Sequence, residues 1–197
     1  MNRAEQKAAT RAALVEHARA QFAERGYDAV SIPEVARAAG VTKGAVYHQF
    51  AGKQELFEAV VAEVHAGVAD AVASAADAPS DPWSALLAGC RSFLVASTAP
   101  QVRRILLLDG PAVLGWERWR ELDDAASASH LAVGLRALVD AGVLAPQPVA
   151  PVIRVLSGAM NEAALWLARP GSAAEDLDDV MAVLERMLGA LRALGAP

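Results

Sequence analysis

One cysteine, Cys90, stands in 197 residues, so no intrachain disulfide can form and the chain suits a reducing compartment. As a small hydrophobe it needs no further role. Aromatic residues are scarce, at 5%. No uncharged apolar run reaches the length of about 18 residues that a membrane span needs. Charges break up the opening MNRAEQKAATRAAL before a signal-peptide core can form, so the expected location is the cytoplasm. His17, His48, His65 and His130 are scattered, and none is spaced with another His, Cys or carboxylate as a metal motif requires. Neither a phosphate-binding glycine-rich loop nor a nucleophile elbow occurs. No metal, no cofactor and no enzymatic activity is therefore expected.

A basic excess is also missing. The net charge is −5, which weighs against a protein that attracts nucleic acid over its whole surface. The distribution is uneven, however. Residues 1–60 carry eight Lys/Arg against seven Asp/Glu, whereas residues 61–197 carry ten against sixteen. Any contact with DNA must come from a local patch that includes Arg3, Lys7, Arg11, Lys43 and Lys53. What the chain has in abundance is alanine, which supplies much of its 54% hydrophobic content. Its length can bury a substantial core in one large domain, or in a small domain joined to a larger one.

Good helix formers run from about Glu5 to Arg25, with Leu14, Ala18 and Phe22 as the apolar stripe. Ser31 to Glu34, SIPE, matches a capping box that opens a second helix, with Pro33 in the first turn. Gly40 can take positive φ and turn the chain, and Thr42 can cap a third helix from about Lys43 to His48. Val46 and Phe50 fall on one face of it and leave the polar face outward. Such a pair of helices, joined by a tight glycine turn, is a helix-turn-helix arrangement. Periodicity alone leaves an ordinary three-helix corner with solvated polar residues equally open.

From Thr10 to about Val60, TRAALVEHARAQFAERGYDAVSIPEVARAAGVTKGAVYHQFAGKQELFEAV closely resembles the N-terminal DNA-binding domain of TetR/AcrR-type transcriptional regulators. The matching features are the phenylalanine and Gly-Tyr ending the first helix, the AxxAGVTKGAxYxxF core, and the lysine and leucine opening the fourth helix. Pro33 departs from the ordinary polar residue usual there. The resemblance implies an all-α chain: a three-helix DNA-binding domain at 1–52, then a larger helical effector-binding and dimerisation domain at 53–197. It implies a homodimeric repressor, bound to a near-palindromic operator of double-stranded DNA and released by a small-molecule effector. Carried over by position, Thr42, Lys43, Gly44 and Ala45 would lie closest to the bases and Tyr47 and His48 at the phosphates. Lys43 can donate to guanine, and Gly44 and Ala45 permit close approach. Lys53, Thr10, Arg11 and the cap Ser31 complete the expected DNA contacts.

Beyond the fourth helix, Lys53 to Ala76, the break ADAPSD ends at Asp81, a cap for the next helix. A Pro-led helix from near Pro100 is expected to reach LLLDG and be interrupted at Gly110 and Pro111. The segment RRILLLDGPAVLGWERWRELD resembles a stretch in C-terminal domains of many actinobacterial TetR-type regulators. A helix bearing Trp116 and Trp119 is expected to continue through Leu131, Leu135 and Leu138 to Gly142. Two more helices are expected at Val152–Ala168 and at about Ala173–Leu194. The last has a seam of Leu177, Met181, Leu184, Leu188 and Leu191, widened by Val180, Met187 and Leu194, that suits pairing with a second copy. Trp83, Phe93, Trp116, Trp119, His130 and Asn161 are the candidates for lining an effector cavity, with core packing the alternative for the tryptophans and exposure for His130 and Asn161. Asp123, Asp124 and the run DLDD at Asp176 to Asp179 read as a helix N-terminus and a solvated face, with an acidic cluster for a cationic ligand the alternative. A helical carrier or enzyme with an unused corner is the competing class, and an activator the other regulatory sense.

Overall fold

Asn2 starts the first helix because its side-chain oxygen accepts from the Glu5 N–H at 2.9 Å, and the Glu5 carboxylate accepts from the Asn2 N–H at 2.8 Å. The computed structural model describes residues 2–169, 171 and 174–192. Its helices are α1 (Arg3–Arg25), α2 (Ile32–Ala38), α3 (Lys43–Tyr47), α4 (Lys53–Ala76), α5 (Pro82–Thr98), α6 (Pro100–Arg103), a π-helical turn (Arg104–Asp109), α7 (Gly110–Leu114), α8 (Trp116–Ala125), α9 (Ser127–Asp140), α10 (Val149–Leu167) and α11 (Ala174–Gly189). The fold is all-α, as expected. By contact the chain forms two units, one of residues up to Val64 with Pro100–Leu122, the other of His65–Ala99 with Asp123 onward. The units are interleaved along the chain, α4 and α8 each running on from one into the other.

In the first unit Leu14, Ala18 and Phe22 of α1 are fully buried, together with Val35, Val46, Leu56 and Phe57. Phe22 meets Phe57 edge-on at 5.0 Å, and Tyr27 meets Phe57 at 5.0 Å. Each of the two buried phenylalanine rings contributes on the order of 2 kcal/mol. Gly40 turns the chain between α2 and α3 at φ 67°. Ser31 directs both its N–H and its hydroxyl to the Glu34 carboxylate, at 2.9 and 2.6 Å. The Ser31 hydroxyl first, and then Arg25 at 2.9 Å, hold that carboxyl down to about 2.

The helix from Pro100 does not stop at Gly110. It widens into the π turn, in which the Gly110 N–H reaches the Ile105 carbonyl, and then resumes as α7 with Pro111 at its start. The wide turn removes the conflict that would otherwise break the helix, since Pro111 lacks the N–H and carries the ring that an α-helical turn cannot accept. The break comes at Gly115 instead, with φ 79°. Gly110 has no room for a side chain: a Cβ there would sit 2.8 Å from the Ile105 carbonyl oxygen and 2.9 Å from Trp119 Cδ1.

The second unit packs α9 and α10 against α5 and each other, with α11 on α5 and α10. Leu86, Phe93 and Leu94 of α5, Leu135 and Leu138 of α9, and Met181, Leu184 and Leu188 of α11 are buried. Cys90 is buried, and burial pushes its thiol up to about 12, which leaves it unreactive. α8 and α9 are separate helices, contrary to the continuous one expected. The chain breaks at Ala126, with φ −110° and ψ −104°, and so turns Asp123 and Ser127 inward, both buried. α11 ends at Gly189, earlier than Leu194, because the chain after it pairs back: the Ala145 N–H donates to the Leu191 carbonyl at 3.0 Å. Ala173 and Leu194 lie outside the described residues.

Gly110→Ala should cost about 1–3 kcal/mol in urea denaturation, since overpacking against a carbonyl and an indole cannot relax cheaply. Gly158→Ala on α10, with nothing within 4 Å of the added Cβ, should instead gain up to about 1 kcal/mol. Glu34, with its carboxyl lowered from 4.5 to about 2, adds stability that is present above 4.5 and lost as the pH falls toward 2. Ser31→Ala should move its titration, followed by NMR, upward.

Candidate functional site

The third helix is built as a display. Thr42 accepts the Ala45 N–H on its hydroxyl at 3.2 Å and so caps α3, while Val46 and Phe50 anchor it from behind at 0% and 1% exposure. The opposite face carries Thr42, Lys43, Gly44, Tyr47 and His48, all exposed, with Ala45 half-buried beside them. Among the described residues the side chains of Lys43, Tyr47 and His48 make no hydrogen bond, and the Lys43 ammonium lies 5.7 Å from the Tyr47 ring centre. Gly44 is not demanded by the fold. A Cβ there would find only the Thr42 hydroxyl, at 3.8 Å, so the chain accepts a poor helix former for no internal reason.

The other expected DNA contacts are more engaged with their own chain. Arg11 places its guanidinium 4.3 Å over the Phe50 ring and donates to the Gln49 carbonyl at 3.4 Å, tying α1 to the end of α3. The Thr10 hydroxyl donates back to Gln6 at 2.9 Å, and that of Ser31 to Glu34. Lys53 lies 4.1 Å over the Tyr27 ring and donates to the Asp28 carbonyl at 3.3 Å. The turn between α1 and α2 is itself held by the π turn: the Tyr27 N–H donates to Asp109 at 2.8 Å, and Arg104 donates to the Glu24 carbonyl at 3.1 Å. Arg118 of α8 pairs with Glu58 of α4 at 2.6 Å.

In the second unit α4, α5, α8, α9 and α10 line a half-open cavity of about 390 Å³. Its walls are apolar, from Val72, Leu86, Cys90, Phe93, Leu131 and Met160, and its exposed rim includes Asp77, His130 and Val133. One corner is polar. There Asp123, 2% exposed, accepts from Ser157 at 3.2 Å and from Asn161 at 3.4 Å, and Ser127, four residues on, lines the same cavity. Of the six expected lining residues, Phe93 and His130 line the cavity and Asn161 supports it from behind. Trp83 does not line it and lies 5.0 Å from the Arg192 guanidinium. Trp119 is core of the first unit, its indole N–H donating to the Leu106 carbonyl at 2.8 Å. Trp116, 61% exposed, stacks on it at 5.3 Å. Asp123 closes α8 rather than opening a helix. The sequence reading missed it and Ser127 because no change in apolar spacing marks the break between them.

Two family descriptions match the chain: "Bacterial regulatory proteins, tetR family" over residues 14–60 and "Tetracyclin repressor-like, C-terminal domain" over 83–191. The Transposon Tn10 TetC protein of Escherichia coli is 32% identical over 109 residues, 55% of each chain. The transcriptional repressor AcnR of Corynebacterium diphtheriae is 30% identical over 113 residues, 57% of this chain and 58% of that one. The chain spans about half the length of the curated relatives it matches. A solved TetR-family regulator from Pectobacterium atrosepticum superimposes with a TM-score of 0.82 at 30% identity, covering 98% of this chain and 99% of the other. With both descriptions matched and the likeness extending over the whole described fold, the chain belongs to the TetR family of bacterial transcriptional regulators.

Proposed function

We propose that the protein is a homodimeric repressor that binds a near-palindromic operator through α3 and is released by a small molecule held in the cavity of the second unit. The observation that carries this is the face of α3: three polar side chains with no hydrogen bond of their own, around a glycine that the fold does not need. Such a glycine earns its place where a groove must come close. Lys43 then reads a base edge, and Tyr47 and His48 fix the register on phosphates. Lys53, Arg11, Thr10 and Ser31 flank the backbone, and their side-chain bonds to their own chain set the geometry of the approach.

Dimerisation through α10 and α11 is favoured by a second apolar stripe on each. Met181, Leu184 and Leu188 serve the core, yet Val183 and Met187 stay exposed at 47% and 44%, and Val155 and Trp166 of α10 at 64% and 37%. A second copy of the same stripes covers them with a two-fold axis, which also sets the head separation of about 34–36 Å that successive major grooves require. Release follows from continuity of the chain. α8 carries Arg118 and Trp119 in one unit and Asp123 in the other, and α4 likewise spans both, so a ligand that favours one curvature of these helices changes operator affinity by its difference in affinity for the two states.

Gel-shift titration with DNA upstream of the protein's own reading frame tests the head. Lys43→Ala should weaken specific binding by about 1–3 kcal/mol, while Gly44→Ala should raise thermal stability and still weaken binding. Lys53→Ala should lower affinity for all sequences and flatten the salt dependence. If Gly44→Ala bound as well as the parent, α3 would not be the reading helix. Met187→Glu should convert the dimer to monomer in sedimentation velocity and abolish operator binding with it.

A further inference from the structure

We infer that the cavity selects a compact, mainly apolar compound that is neutral or cationic and bears a hydrogen-bond donor, with that donor placed in the corner of Asp123 and Ser127. This rests on the cavity being the effector site, and it goes beyond that reading by naming the chemistry of the ligand.

Size sets the first limit. About 390 Å³ lies near the lower end of the range of about 300–1,000 Å³ typical of small-molecule sites, so the body is one ring or a short branched chain. The wall chemistry sets the second. Phe93, Leu86 and Met160 favour an apolar body, each buried methylene adding about 0.8 kcal/mol. Charge sets the third: among the described lining residues there are two aspartates, Asp77 and Asp123, and no lysine or arginine. An anionic head would have to be desolvated beside these acids, with no lysine or arginine among the described lining residues to receive it.

The polar corner supplies the positive selection. Ser127 is only 7% exposed, and its hydroxyl has no hydrogen-bond partner among the described residues. A buried hydroxyl left so is costly, and a ligand head that bonds it removes the cost. One turn away, across the break at Ala126, the Asp123 carboxylate already collects the Ser157 hydroxyl and the Asn161 amide. Those donors keep it oriented as an acceptor. A hydroxyl or ammonium head can donate a hydrogen bond to the Asp123 carboxylate or to the Ser127 oxygen. A carboxylate head can only accept, and a hydrocarbon does neither.

Calorimetric titration of the full-length protein with four probes that share a phenethyl body tests this: phenethylamine, phenethyl alcohol, ethylbenzene and hydrocinnamate. At least one donor-headed probe should bind about tenfold tighter than ethylbenzene, and hydrocinnamate should bind weakest. Amine above alcohol marks a cationic head, the reverse a neutral one, and both support the assignment. Ser127→Ala, a deletion of one oxygen, should shrink the donor's advantage severalfold. Asp123→Asn should do so more strongly for the amine. Hydrocinnamate binding as tightly as the alcohol, no preference for a donor, no binding of any probe, or an unchanged ratio in a folded Ser127→Ala would each overturn it. The two readings fail separately: probe selectivity as stated, with operator affinity unaffected by the tightest probe, would keep the ligand class and remove its role as effector.

Discussion

Arg104 and Asp109 stand five residues apart, and α-helical winding would set them about 140° from each other around the axis. The π turn narrows that separation by closing its hydrogen bonds over one more residue. Both side chains can then grip the same short segment, Arg104 through the Glu24 carbonyl and Asp109 through the Tyr27 N–H. Everything presented by α3 depends on this grip, because α3 is five residues long and cannot stand as a helix alone. It leans on α2, α2 on α1, and the end of α1 on the π turn. Gly110 makes the winding possible by leaving room for Trp119, whose indole bonds the turn's own Leu106 carbonyl.

In the second unit the deciding feature is also a departure from regular helix. The break at Ala126 places an acid from the end of one helix and a hydroxyl from the start of the next against the same space. An unbroken helix would have carried the hydrophobic stripe straight past them. The cavity's apolar walls are ordinary helix faces held a little apart, and its polar corner exists because the backbone turns there.

The first three helices were legible because their signals are local. The Ser31–Glu34 pair, the glycine turn at Gly40 and the Thr42 cap each act within four residues, and each recurs in the structure. The interruption at Gly110 and Pro111 takes the form of a π turn, which the sequence does not announce because it is decided by what packs on it, here Trp119, nine residues on. The same limit hid the cavity. Trp116 and Trp119 were the obvious aromatic candidates, but stacking on each other and a carbonyl bond hold them in the other unit. Asp123 reads as part of a helix N-terminus or a solvated face, since nothing in its neighbours announces that Ser157 and Asn161, more than thirty residues away, will come to it.

The two stripes of α11 have a further consequence. Met181, Leu184 and Leu188 point inward while Val183 and Met187, offset by a residue or two, point out. One residue inserted into or deleted from this helix would rotate all that follows by about 100° and take the inner stripe out of register with the core. The outer surface of α11 can therefore drift in composition but not in phase: its inner stripe acts as a ruler, and change over generations at that surface must proceed by substitution rather than by length.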